Sequence, residues 1–113
     1  MHTAAPDKKK RIRELNDRFR TTFTGGVVTL TQGVDELSPE TKAKVLRRVQ
    51  SFSQFDQGND PHGEHDFGSF EIAGQQFFFK LDYYDRTMEG GSEDPADSDI
   101  TTRVLTVMLA EEY

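Results

Sequence analysis

The chain has 113 residues, 34% of them apolar and 30% charged, with a net charge of −6 and no cysteine. That length sets a single domain with one modest core, and the missing thiols exclude disulfides, a thiolate zinc site and a cysteine nucleophile. No stretch has the apolar run of a signal peptide or a membrane span, so a cytoplasmic protein without membrane contact is expected.

The charge is unevenly spread. Half of the fourteen basic residues, seven in number, fall between Lys8 and Arg20. From Asp56 onward only Lys80, Arg86 and Arg103 oppose fourteen acids, a balance of −11. Such an acidic half suits a basic protein partner, of unknown identity, or a divalent cation. It also opposes wrapping by a phosphate backbone, so direct nucleic-acid binding is not expected.

Residues 1–7 are expected to be disordered, with Asp7 capping a helix from Lys8. Ile12, Leu15, Phe19 and Phe23 draw one apolar stripe down that helix at spacings of three and four, and Thr24-Gly25-Gly26 breaks it. "VVTLTQGV" is β-branched, and Val28 and Leu30 alternate with threonines, so it reads as a strand that Gly33 ends or bulges. The next helix has a full start signal in Ser38 as N-cap, Pro39 at the first helical position and Glu40 at the positive end of the dipole. Val45, Leu46, Val49 and Phe52 form its buried stripe, and Lys42, Lys44, Arg47 and Arg48 its wet face.

Two β-rich runs then flank Ala73-Gly74, which predicts a short hairpin. In its second strand Phe77, Phe79, Leu81 and Tyr83 point to one face, expected to be core. Phe78, Lys80, Asp82 and Tyr84 point to the other. Residues 86–101 hold two glycines, a proline and five acids, and read as a long acidic loop. "RVLTVML" favours a buried strand over a helix. The fold class is α+β: one domain over residues 1–113, with two helices on a mainly antiparallel sheet of about four strands in the order α-β-α-β-β-β.

The candidate site is "NDPHGEHDFG", residues 59–68. With no cofactor, it is a turn-rich loop whose His62, Glu64, His65 and Asp66, joined by Asp82 and Asp85 of the hairpin, form a contact set. Asp60-Pro61 and His62-Gly63 make turns. His65 and Asp66 are then expected to face inward, Asp66 to bond otherwise unpaired backbone N–H groups, and Gly68 to mark a tight approach or bulge. His62 and Glu64 lie nearer solvent in that reading. The chemical alternative is a metal-dependent hydrolase or nuclease binding a divalent metal. There His62, His65 and Asp66 are ligands, Asp82 or Asp85 completes the shell, Glu64 is the general base and Lys80 stabilises developing negative charge. The spacing fits no strong template, since Pro61 and Gly63 keep the segment out of a helix and Lys80 lies nine positions after Glu71. Phosphate-binding and nucleophile-elbow motifs are missing as well.

Four segments together resemble a small bacterial family, domain of unknown function 3768. They are the ten-residue motif, Asp82-Tyr83-Tyr84-Asp85, Asp94-Pro95-Ala96-Asp97 and Arg103-Val104-Leu105-Thr106-Val107-Met108-Leu109, with the likeness running from about Ile12 to Tyr113. The resemblance implies a bacterial source, in a proteobacterial genome or on a plasmid, and supplies no catalytic residues. A plasmid setting implies accessory roles, among them inhibition of a host defence complex by a small acidic protein. The charge balance adds a regulatory protein contacting a basic, nucleic-acid-binding partner.

Overall fold

The computed structural model describes residues 4–113. Helix α1 (Ala4–Thr22) is followed by strand β1 (Val27–Leu30), a single-turn helix α2 (Gln32–Asp35) and helix α3 (Pro39–Ser51). Strands β2 (Phe67–Ile72), β3 (Gln75–Tyr84) and β4 (Thr102–Leu109) complete a four-stranded sheet, and a 3-10 turn (Ala110–Glu112) ends the chain. The fold is thus α+β, with a short helix beyond the two expected. Of the expected disorder, residues 1–3 lie outside the described residues, whereas Ala4–Asp7 form the first turn of α1. Asp7 sits inside that turn, near the positive end of the dipole, instead of capping it.

The strand order is β1-β4-β3-β2. β2 pairs with β3 and β3 with β4 antiparallel, but β1 lies parallel to β4, with Val27 opposite Val104. The sheet is therefore mixed, because β1 reaches its partner through a crossover spanning both later helices and the hairpin. Gly33 does not end β1. It lies in α2, where its N–H donates to Glu112 Oε2 at 2.8 Å.

Helix α3 begins as its sequence dictates: the Ser38 hydroxyl accepts from the Thr41 N–H at 3.2 Å, and Pro39 occupies the first helical position. Alternation does the same for β3. Phe77, Phe79 and Leu81 are buried and face Phe19 of α1, Val45 and Val49 of α3, and Leu105 and Val107 of β4. Both long helices cover that face. On the opposite face the rings of Phe67, Phe78 and Tyr113 meet at centroid distances of 5.1–6.1 Å, so the chain end covers part of it.

Candidate functional site

The motif loop runs from the end of α3 to β2 and is built by its own short polar side chains. Asp56 Oδ1 accepts from the N–H groups of Gly58 and Asn59, and the Asn59 side-chain oxygen accepts from the Asp56 N–H at 2.8 Å. These interlocked turns deliver Asp60 into the protein, where it is 8% exposed. Its Oδ1 accepts from the N–H groups of Glu64 and His65, each at 3.1 Å. Gly68, at the loop's far end, sits under the Phe79 ring: a Cβ there would come within 2.2 Å of it. The tight approach expected at Gly68 is therefore a ring stacked against bare backbone.

His65 is the hinge of the arrangement. Its φ of 56° turns the side chain inward, where the imidazole stacks on Phe55 with centroids 3.9 Å apart and planes 5° from parallel. Nδ1 lies 3.0 Å from both carboxylate oxygens of Asp17 on α1, and Nε2 lies 3.7 Å from Asp60 Oδ2. Asp17 in turn receives Arg20 Nη2 at 3.1 Å. Arg20 is buried, donates Nη1 to the Val49 carbonyl at 2.7 Å and lies over the Phe55 and Phe79 rings. Its Nε has no partner among the described residues. A loop carboxylate, an imidazole, a helix carboxylate and a guanidinium thus run in one line from the motif into the core.

A second line starts one residue earlier on α1. Asn16 is 0% exposed and uses every part of its amide. Nδ2 donates to the Glu64 carbonyl at 3.0 Å and to Tyr83 Oη at 2.8 Å, while Oδ1 accepts from Arg103 Nε at 2.8 Å. Tyr83 Oη donates to Glu64 Oε1 at 2.8 Å. Burial, aided by the neighbouring Glu64 carboxylate and only partly opposed by the Asn16 amide, pushes the Tyr83 phenol far up, so it serves as a donor at any ordinary pH. Arg13 closes the contact by donating Nη1 to the Gly63 carbonyl.

The sequence-selected residues do not form one set. His62 is exposed, and Glu64 is half-buried under Tyr83 instead of lying nearer solvent. The N–H groups of Glu64 and His65 are taken by Asp60, and the Asp66 carboxyl meets only its own N–H. Burial, with the Glu64 and Asp60 charges adding to it, raises the Asp66 carboxyl above the ordinary value, and its own N–H and His62 offset this only in part. Asp82 lies on the opposite sheet face, 2.9 Å from Lys80, whose ammonium it holds above its usual value. Asp85 folds its own turn, accepting from Thr87 and Glu89, and these bonds lower its carboxyl. Among the described residues no three His, Asp or Glu side chains gather as a metal shell.

Both ring nitrogens of His65 are directed at carboxylates of the protein itself. The geometry holds a loop to a helix. Sequence reading missed Asn16, Asp17, Phe55 and Arg103, although one signal was present: Asn16 and Arg20 follow Ile12 at intervals of four on the buried stripe of α1. A polar residue on an apolar stripe requires a buried partner.

No curated protein and no solved structure matches this chain. A family model described as "Protein of unknown function (DUF3768)" matches residues 30–112. The match takes in the motif loop, the hairpin and β4, and starts after α1, which supplies Asn16 and Asp17. With well over half of its length matched, the chain belongs to the DUF3768 family.

Proposed function

We propose that this protein is a non-enzymatic binding or regulatory factor that docks on a basic partner through the acidic loop between β3 and β4. The observation that carries this reading is that the loop is fixed by contacts that leave its outer acids free. Tyr84 bridges to Gly91, the Ser92 and Thr101 hydroxyls meet at 2.6 Å, Arg103 donates to the Pro95 carbonyl, and Lys8 pairs with Asp94 at 3.4 Å. Glu89, Glu93, Asp97 and Asp99 remain exposed and make no ion pair among the described residues. A surface already ordered loses less freedom on binding, and its charge speeds encounter with a basic patch. A nucleic-acid-binding protein is the natural form of such a partner.

Capture from a bacterial lysate on the immobilised protein tests this. The expected partner is retained at low salt, released as ionic strength rises and lost from a variant combining Glu89→Gln, Glu93→Gln, Asp97→Asn and Asp99→Asn. Competition by duplex DNA assigns the partner's surface to nucleic-acid binding. A partner held equally by the neutralised loop, or indifferent to salt, contradicts the proposal.

A further inference from the structure

A cavity of about 210 Å³ opens between α1, the Thr24-Gly25-Gly26 turn and the start of β4. A second, of about 390 Å³, adjoins it and shares Gly25 and Thr101 as lining residues. The chain carries twenty acids, yet none lines either cavity. Arginines do: Arg18 and Arg103 line the first and Arg86 the second. None of the three makes an ion pair among the described residues.

Arg103 is the decisive member. It is 3% exposed, its Nε is given to Asn16 and its Nη2 to the Pro95 carbonyl, and its Nη1 makes no hydrogen bond among the described residues. Its guanidinium lies over the Tyr83 ring at 5.2 Å and feels Glu64 only at longer range, with no carboxylate at ion-pair distance among the described residues. An anion in the adjoining cavity would therefore offset the remaining cost of its burial. The remaining walls suit a small organic anion. Ser98 and Thr24 bring hydroxyls, and Leu15 and Phe19 bring an apolar side. At Gly25, with φ of 101° and nothing within 4 Å of its Cβ position, the backbone lies open to a ligand.

We propose that this cleft binds a small phosphomonoester, its phosphoryl oxygens held by Arg103 and Arg18 with Arg86 closing from the adjoining cavity. Guanidinium groups from three separate segments, with hydroxyls beside them, match a tetrahedral group with several oxygens. A carboxylate is satisfied by a single arginine fork. The proposal does not need the acidic loop's partner, although Arg86 and Ser98 belong to that loop.

Calorimetric titration of the full chain with glycerol phosphate and with inorganic phosphate tests it, with succinate at matched ionic strength as the carboxylate control. Saturable one-to-one binding is expected for both phosphate probes. Arg18→Gln and Arg86→Gln change exposed side chains, so each is expected to weaken binding about tenfold while the melting temperature without ligand stays unchanged. An adventitious response to charge alone would appear as equal heats from succinate, and that result overturns the proposal. So does the lack of saturable heat with both phosphate probes, or an unchanged affinity when the two arginines are replaced together.

Discussion

His65 adopts a left-handed backbone conformation that costs an L-residue about 1–2 kcal/mol. The strain persists because the residue is held three ways, its ring by Phe55 and Asp17 and its backbone N–H by Asp60. Asp66, the next residue, has the opposite balance, since its carboxyl is half-buried and lacks comparable donors. Its folded-state pKa lies above the ordinary value of 3.8, chiefly through burial. Its contribution to stability is therefore fully present below pH 3.8 and is lost as pH rises through the raised value. Asp66→Asn is accordingly expected to melt higher than the parent at neutral pH. The difference should shrink towards zero as pH falls below that window, which melts across a pH series will show. An Asn variant that melts lower at neutral pH would mean that the charge is being used.

The β2–β3 hairpin shows the same logic in an element. Ile72 pairs with Gln75, leaving the two-residue turn Ala73-Gly74, with φ of 53° and 80°. Two positive φ values mark a type I′ turn, whose preferred sequence is Asn-Gly. Ala73 is exposed and gains nothing from its position. Ala73→Asn should thus stabilise the protein by about 0.5–1 kcal/mol, raising the melting temperature by about 3 °C. Local patterns of this kind were legible throughout: the Ser38-Pro39 helix start, the alternation of β3 and the β-branched run of β4 each dictate their element without distant help. The parallel pairing of β1 was not legible, because a four-residue strand names no partner and its neighbour lies 77 positions away, at Val104 opposite Val27. The candidate site was half legible. The motif announces a polar loop, but its donors and acceptors are completed by Asn16 and Asp17, which sit about 48 positions earlier on a helix read as an apolar stripe.

Across the whole molecule, charge is sorted by layer. Eleven of the fourteen basic residues precede Asp56, and all of these lie on α1 and α3, the two helices covering one sheet face. The outer acids gather on the loop between β3 and β4. The motif loop lies between these regions and fastens α1 to the hairpin, so its polar residues contribute to stability; in the function proposed above, recognition falls to the acidic loop. Thermal unfolding of Asp60→Ala, His65→Ala and His62→Ala, measured side by side, tests this division most directly. Asp60→Ala strands two N–H groups and His65→Ala removes both the ring stack and the Asp17 contact. Each should cost about 1–3 kcal/mol and lower the melting temperature by about 5 °C or more, while His62→Ala leaves it within about a degree. Melting temperatures unchanged in all three variants would contradict a structural role for the loop.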